Sequence, residues 1–191
     1  MADPITTFVD KAPTFMALLM KDFGFSELDA AAVFGNLGHE SNGLTAFQEV
    51  NPTVPGSRGG WGWAQWTGPR RVAFEAYCER NDLDPKSDKA NYGWLFNELK
   101  GPEAGAVAKT KAAKTLKDKV VAFEMAFERA GVKHYDSRLR WAERALDAYQ
   151  ASGNIPEPIP EPLPPFKIGD AAQAFMEAHG LDEVAIVCRR K

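Results

Sequence analysis

Apolar residues recur at helical spacing along most of this chain, and alternating strand patterns are scarce through residue 153. Phe8 and Phe15 share one face of a segment that runs from about Pro4 to Phe23 and stops at Gly24. Glycine, proline and capping residues divide the following sequence into more segments of the same kind. The pattern predicts a mainly α domain.

Capping residues indicate where the other helices begin and end. Ser26, with Asp29 three residues later, resembles a capping box and starts a helix that is expected to end near Glu40. Asp136 or Ser137 is expected to cap the last helix, which ends before Gly153. Further helices are predicted after Thr67 and Pro69, over Ser87–Leu99 and over Thr115–Ala130, with the stretch Pro102–Lys114 as a candidate for one more.

The stretch from Ser41 to Trp66 interrupts this series of helices. It holds Pro52, Pro55 and five glycines, and it lacks a helical face. A connection of this length is usually functional. We expect it to form an irregular loop or a small hairpin that lines a cleft.

Composition favours one main domain, over residues 1–153. The chain has 191 residues and is 45% hydrophobic, which is enough for one ordinary core. Residues 154–165 are predicted to form an extended, semi-rigid linker or strap, because six of the ten residues from Pro156 to Pro165 are proline. Residues 166–191 are too few for an independent core and are expected to dock on the domain or on a partner.

Charge and hydropathy exclude several classes of partner. The net charge is -3 and basic residues form no run, so binding to nucleic acid or to an anionic membrane surface is not expected. No window of 18 residues is apolar, so no membrane span is expected. The first residues do not resemble a signal peptide, so we expect synthesis in the cytoplasm and delivery to an outer substrate by another route.

Two cysteines and three histidines show no spacing typical of a metal site. Cys78 and Cys188 are expected to be free thiols, and Cys78 falls inside a predicted amphipathic helix, which favours a place in the core over a role as a nucleophile. No metal or organic cofactor is expected, and the protein is expected to be a monomer.

The segment GNLGHESNG, residues 35–43, places a carboxylate at the end of a helix. Glu40 lies seven positions after Val33 and three after Leu37, so it should project from the apolar face. Desolvation and the negative end of the helix both favour the neutral acid there. Such a group can donate a proton to a glycosidic oxygen. The neighbouring His39 points in another direction and is expected at the surface.

A second unusual segment, GGWGWAQWTGPR, covers residues 59–70. Trp61, Trp63 and Trp66 alternate with glycines, so this loop could lie flat and expose aromatic faces, as sugar-binding clefts commonly do. The alternative is that these tryptophans fill the core, where tryptophan is usually found. The sequence leaves both interpretations open.

Together these two segments resemble the phage tail lysozyme family of the lysozyme-like superfamily. In that superfamily a Glu-Ser pair ends the catalytic helix, and a Gly-rich loop that ends in Gln follows. The run FERAG at residues 127–131, with Arg138 and Ala142, resembles the closing helices of the family, so the likeness covers roughly residues 5–152. The resemblance implies a muramidase that cleaves the β-1,4 bond between N-acetylmuramic acid and N-acetylglucosamine in peptidoglycan glycan strands.

The same resemblance implies roles for individual residues. Glu40 matches the catalytic acid, Ser41 the hydroxyl that supports the site, and Gln65 a polar residue that lines the saccharide cleft. Trp66 and Arg70 match a loop-to-helix element and are expected to be structural first, with Arg70 paired to an acidic group.

The sequence leaves the identity of a second carboxylate open. Glycoside hydrolysis ordinarily uses two carboxyl groups, and Glu49 is the only other acid between Glu40 and Glu75. Without a role for Glu49, the enzyme could work with one carboxylate, as lytic transglycosylases do with the 6-hydroxyl of the sugar. A wall-binding or virion structural module without activity is a third possibility, and the sequence does not distinguish a free endolysin, a virion component and a delivered effector.

Overall fold

The computed structural model describes residues 3–49, 52 and 56–153. Its elements confirm the mainly α fold, and in the described part of Ser41–Trp66 only isolated antiparallel bridges occur, Gln48 to Trp61 and Trp61 to Trp66. The predicted strap and tail lie outside the described residues. The helices are α1 (Pro4–Phe23), α2 (Glu27–Glu40), α3 (Gly68–Arg80), α4 (Asp88–Lys100), α5 (Ala104–Ala112), α6 (Leu116–Phe123) and α7 (Tyr135–Ala151), with a π-helical turn (Glu124–Glu128) directly after α6.

Local sequence accounts for where α2 begins. The Ser26 hydroxyl accepts a hydrogen bond from the Asp29 backbone N–H at 3.2 Å, and the Asp29 carboxylate accepts one from the Ser26 backbone N–H at 2.9 Å. The predicted capping box is confirmed. The second Asp29 oxygen accepts a hydrogen bond from Lys119 Nζ of α6 at 2.6 Å, and both side chains are buried. The start of α2 is therefore capped locally and also tied to α6.

The start of α7 differs from the prediction. Neither Asp136 nor Ser137 caps it; the helix begins at Tyr135, preceded by His134 in the left-handed conformation with no side-chain cap. Glu124, which lies before the segment that leads into α7, holds the start of this helix instead. The buried carboxylate of Glu124 accepts hydrogen bonds from the Ala130 N–H at 2.8 Å and from the Tyr135 hydroxyl at 3.1 Å. The prediction failed because it considered only local caps.

Helix α2 is the central helix and packs against α1, α6 and α7. Two glycines of the GNLGHE segment make this packing possible. A Cβ atom at Gly35 would lie 2.4 Å from the Ala142 backbone nitrogen on α7, and one at Gly38 would lie 2.4 Å from the Phe8 ring on α1. The glycines therefore let neighbouring helices approach the end of α2 closely, and the segment has a structural purpose besides its carboxylate.

Residues 115–130 do not form the single helix that was predicted. The α-helical bonds end at Phe123, and a π turn follows in which the Arg129 N–H donates to the Glu124 carbonyl at 2.7 Å. Arg129 then leaves the turn with φ 52°, in the left-handed region. A π turn changes the direction of the side chains that follow and is often found at functional sites. Here the turn carries Glu128.

In the described ranges, no helix is both long enough and apolar enough to cross a membrane.

The close approach of α2 and α7 predicts the effect of a Gly35→Ala substitution. The added methyl group would overlap the α7 backbone, so we expect a loss of about 3 kcal/mol of unfolding free energy. Urea denaturation would measure it. The matched control is Gly105→Ala on α5, where an added Cβ meets nothing within 4 Å. This control should be neutral or stabilise the protein by up to about 1 kcal/mol, and an equal effect of both substitutions would contradict the packing argument.

Candidate active site

Glu40 is the last residue of α2, and Ser41 fixes the end of that helix. The Ser41 backbone N–H donates to the Leu37 carbonyl at 3.1 Å, and its hydroxyl donates to the same carbonyl at 2.7 Å. Ser41 is fully buried. Its hydroxyl therefore supports the carboxyl end of α2 and has no solvent-facing side that a sugar could reach.

The Glu40 carboxylate forms an ion pair with Arg138 of α7. Arg138 Nη2 donates to Glu40 Oε1 at 2.5 Å; the Arg138 side chain is 1% exposed and that of Glu40 is 19% exposed. Two more contacts hold the guanidinium: Nη1 donates to Asn36 Oδ1 at 3.0 Å, and Nε donates to the Lys133 carbonyl at 2.8 Å. Asn36, Arg138 and Glu40 thus form a row of hydrogen-bonded polar groups, and Glu40 is the member that reaches the surface. The sequence-based argument from desolvation did not include the Arg138 cation.

Glu98 of α4 forms a second ion pair, with Arg70 of α3. Its carboxylate, 3% exposed, accepts from Arg70 Nε at 2.7 Å, from Arg70 Nη2 at 2.8 Å and from the Trp66 indole N–H at 2.6 Å. Arg70 also lies 4.4 Å from the centre of the Phe127 ring and donates to the Phe127 carbonyl at 3.1 Å. The predicted pairing of Arg70 with an acidic group is confirmed, and sequence reasoning had not identified Glu98 as that group.

Glu128, at the end of the π turn, is a third carboxyl group, and Glu40 and Glu98 both act on it electrostatically. Its Oε1 atom is buried without a hydrogen-bond partner. Burial, and next the neighbouring Glu40 carboxylate, raise the pKa of Glu128 well above its ordinary value of 4.5, while Arg70 and Arg138 act in the opposite direction. Sequence reasoning did not select Glu128, although the FERAG run that carries it was part of the family resemblance.

The tryptophan-rich segment folds back on itself in a tight turn. The Trp61 N–H donates to the Trp66 carbonyl at 3.0 Å, and the Trp66 N–H donates to the Trp61 carbonyl at 2.9 Å. This turn directs Trp63 and Trp66 into the core, where they are 0% and 1% exposed. Of the two interpretations that the sequence left open, burial in the core is the correct one for these two tryptophans, so neither exposes an aromatic face to a sugar. Trp61 is only partly buried and keeps some exposed surface.

Antiparallel bridges from Gln48 to Trp61 and from Trp61 to Trp66 form a short ribbon. Glu49 and Gln65 both stabilise this ribbon. Glu49 Oε2 accepts from the Gly60 N–H at 3.0 Å, and the Glu49 N–H donates to the Gly60 carbonyl at 3.0 Å. Gln65 Nε2 donates to the Ala46 carbonyl at 3.0 Å and to the Gly62 carbonyl at 2.9 Å. The predicted site residues therefore fall into two groups. Glu49, Gln65 and the tryptophans belong to the ribbon, whereas Glu40 and Ser41 lie at the end of α2, in a cluster of buried charges that also contains Arg138.

His39 is half-buried, so the expectation of a surface histidine is wrong. Its Nδ1 atom lies 2.9 Å from the Ser137 hydroxyl, and its ring centre lies 5.6 Å from that of His134. Burial, followed by the positive charges of Arg138 and His134, lowers the pKa of His39 to about 4. His39 is therefore neutral near pH 7 and leaves Arg138 as the cation beside Glu40.

Cys78 is buried, as predicted, with 2% of its surface exposed. Burial raises the pKa of its thiol to about 12, and the carboxylates of Asp84 and Glu75 add to this effect. A thiol that stays protonated is a poor nucleophile. The structure gives no support to a cysteine peptidase.

A Glu-Ser pair at the end of a buried helix, in a mainly helical domain, is the arrangement that the lysozyme-like resemblance implied. The family model for phage tail lysozyme matches residues 10–149. The chain belongs to the phage tail lysozyme family, which indicates a lysozyme-like activity on peptidoglycan. Comparisons with curated proteins and with solved structures returned no match.

The low pKa of His39 predicts how stability depends on pH. Because the unfolded chain binds a proton near pH 6.5 and the folded chain only near pH 4, this contribution is fully present above pH 6.5 and is lost as the pH falls to 4. We expect about 1 kcal/mol from His39, allowing for solvent screening. Chemical denaturation at pH 4, 5.5 and 7.5 would show a smaller loss for His39→Asn than for the wild type. Parallel curves would contradict the assignment.

Proposed function

We propose that this protein is a muramidase that hydrolyses the β-1,4 bond between N-acetylmuramic acid and N-acetylglucosamine, with Glu40 as the general acid. One observation carries the proposal. Within the cluster of buried charges at the end of α2, Glu40 combines 19% exposure of its side chain with fixation by a buried arginine. A general acid needs both properties, because it must reach the leaving oxygen and must be held in one orientation.

The buried charges around Glu40 support the acid step. Exclusion of water around an acid strengthens its interaction with charge that develops on the substrate. Glu98 and Arg70 neutralise each other within hydrogen-bond distance. Arg138 orients Glu40 and remains available to its carboxylate after the proton has left.

The ribbon is proposed to supply the substrate contacts. Trp61 is partly exposed and is proposed to contact a sugar face, and Gln65 lies at the turn that presents it. Trp63, Trp66 and Ser41 support the site from the core. In this proposal a glycan strand lies along the ribbon, with one glycosidic oxygen at Glu40.

Glu49 is proposed as the second carboxylate, which activates the attacking water or stabilises the developing positive charge. It is partly exposed, and the Gly60 N–H fixes its Oε2 atom at 3.0 Å. The same hydrogen bond also fits a purely structural Glu49. In that case Glu40 would act alone, as in a lytic transglycosylase, where the 6-hydroxyl of the sugar replaces water.

The proposed site of action is the cell wall. The protein would be made in the cytoplasm and would reach peptidoglycan after its release, or as a component of a virion.

The acid role predicts the effect of Glu40→Gln. The amide keeps the shape of the side chain but cannot donate the proton, so the rate of turbidity loss of purified peptidoglycan should fall by about 10³-fold, while binding to insoluble peptidoglycan persists. Glu79→Gln, an exposed glutamate on α3, is the matched control and should retain wild-type activity. A wild type that binds peptidoglycan without lysing it would instead support a binding or structural module.

The choice between hydrolysis and transglycosylation predicts different products. Mass analysis of the released muropeptides should show reducing ends for a muramidase, whereas a transglycosylase leaves anhydromuramic ends that lack the elements of water. If Glu49 is the second carboxylate, Glu49→Gln should lower the hydrolysis rate by about 10²-fold, while its amide oxygen still accepts from Gly60. Anhydro ends together with full activity of Glu49→Gln would overturn the hydrolytic mechanism.

A further inference from the structure

Asn36 lies in α2 one turn before Glu40, and its side chain is fully buried. The nearby positions Val33 and Leu37 belong to the apolar core. A buried amide without partners is costly, so an asparagine is tolerated in such surroundings only where its hydrogen bonds are made. The partners of Asn36 therefore indicate what this residue does.

Both polar atoms of the Asn36 amide have partners. Nδ2 donates to the Ala32 carbonyl at 2.9 Å and to the Val120 carbonyl at 3.2 Å, and Oδ1 accepts from Arg138 Nη1 at 3.0 Å. A reversed amide would turn its NH2 group to the guanidinium donors and its oxygen to two carbonyls, which is unfavourable on both sides. Asn36 thus presents an oxygen to Arg138 in one fixed orientation.

The Arg138 guanidinium spans one turn of α2. Asn36 and Glu40 are four positions apart, so they lie on the same face of the helix. Nη1 of Arg138 donates to Asn36 and Nη2 to Glu40, while Nε donates to the Lys133 carbonyl. Because a guanidinium is planar and rigid, these three contacts together define the direction from which Nη2 meets Glu40.

The neutral charge of Asn36 matters for this arrangement. An amide oxygen accepts a hydrogen bond without neutralising the guanidinium, and the Lys133 carbonyl does the same. Glu40 is the one charged group among the three acceptors, so the ion pair keeps the positive charge of Arg138 for Glu40. An acidic residue in place of Asn36 would compete for that charge.

From this geometry we propose that Asn36 is a positioning residue of the acid. By holding Arg138, it keeps Glu40 Oε1 bonded to the guanidinium and leaves Oε2 to carry the proton that goes to the glycosidic oxygen. The inference rests on the proposed function of Glu40. Asn36 acts through Arg138 and does not touch the sugar.

The hydrogen bond to Oε1 is compatible with both states of Glu40. In the acid, Oε1 is the carbonyl oxygen and still accepts from Nη2, while Oε2 carries the hydrogen. The O–H bond of Oε2 breaks as the glycosidic oxygen takes the proton, and its electron pair stays on Glu40. The bond from that oxygen to the anomeric carbon breaks, and the leaving oxygen keeps those electrons. The resulting Glu40 carboxylate is then paired with Arg138.

The first test compares kcat and KM of Asn36→Ala on soluble peptidoglycan fragments. The truncation removes the oxygen that holds Nη1, so Arg138 no longer fixes the orientation of Glu40, and kcat should fall by about tenfold or more. KM should stay within about twofold of the wild type, because no contact with the substrate is removed. An unchanged kcat would contradict the proposal.

Asn91→Ala is the matched control. Asn91 of α4 is also fully buried and also has three hydrogen bonds: Nδ2 donates to the Pro85 and Ser87 carbonyls at 2.9 and 2.8 Å, and Oδ1 accepts from the Trp63 N–H at 2.8 Å. Its truncation should lower the melting temperature by a similar amount. Because Asn91 holds the ribbon, KM should rise while kcat stays within about twofold of the wild type. An equal fall of kcat in both variants would mean that Asn36 acts only through stability.

Arg138→Lys tests whether the effect of Asn36 passes through the guanidinium. Lysine keeps the charge, but its single ammonium group cannot replace a planar fork with three contacts. In this variant kcat should fall by about tenfold or more, and adding Asn36→Ala should cause little further loss. Wild-type kcat in Arg138→Lys, or losses that multiply in the double variant, would overturn the proposed route through Arg138.

A measurement on the wild type does not depend on the folding of any variant. Rotation about the bond between Nε and Cζ averages the signals of Nη1 and Nη2, whereas a guanidinium held through both atoms gives separate signals. Nitrogen-15 NMR should therefore resolve Nη1 and Nη2 of Arg138, since each has its own acceptor. A single averaged signal would show a freely rotating guanidinium, and Asn36 would then have no positioning role.

The outcomes separate the inference from the proposed function. If Glu40→Gln remains active, the proposed function fails. If Glu40→Gln is inactive and Asn36→Ala keeps the wild-type kcat, Glu40 remains the proposed acid and only the positioning by Asn36 is overturned.

Discussion

The ion pair between Glu40 and Arg138 connects the two helices that define the site. Arg138 is 1% exposed, and its Nη1 and Nε atoms donate to Asn36 and to the Lys133 carbonyl, so three hydrogen bonds hold the guanidinium in position. Removal of one partner of a buried pair typically costs about 3–5 kcal/mol because a charge is left unpaired. The packing of α2 on α7, made possible by Gly35, brings these side chains together. Fold stability and the orientation of Glu40 thus depend on the same contact.

A second network links two helices, the π turn and the tryptophan-rich segment. Arg70 links α3 to Glu98 on α4 and, through the Phe127 carbonyl, to the turn that carries Glu128. Trp66 joins the network through its indole N–H. Arg70 and Glu98 are paired with each other, so neither leaves an uncompensated charge in this buried environment. Burial raises the pKa of the Glu128 carboxyl, beside this network, well above its ordinary value.

The ribbon shows how one segment divides its residues between the core and the surface. Trp63 and Trp66 anchor it, since both are buried and Trp66 is hydrogen-bonded. The tight turn between Trp61 and Trp66 leaves Trp61 partly exposed on the outer side. An anchored loop presents its exposed side chains with little loss of conformational freedom on binding, which favours recognition of an extended glycan.

The sequence alone determined what depends on neighbours within a few positions: the helices, the capping box of Ser26, the end of α2 at Glu40 and the irregular segment after it. It also indicated a structural role for Arg70. Only the tertiary structure decided which tryptophans are buried, that a π turn replaces the last part of a predicted helix, and that Glu128 and Arg138 lie beside Glu40. The physical reason is separation along the chain. Glu40 and Arg138 are 98 positions apart, and no local periodicity or cap records a pairing that depends on how α2 and α7 pack.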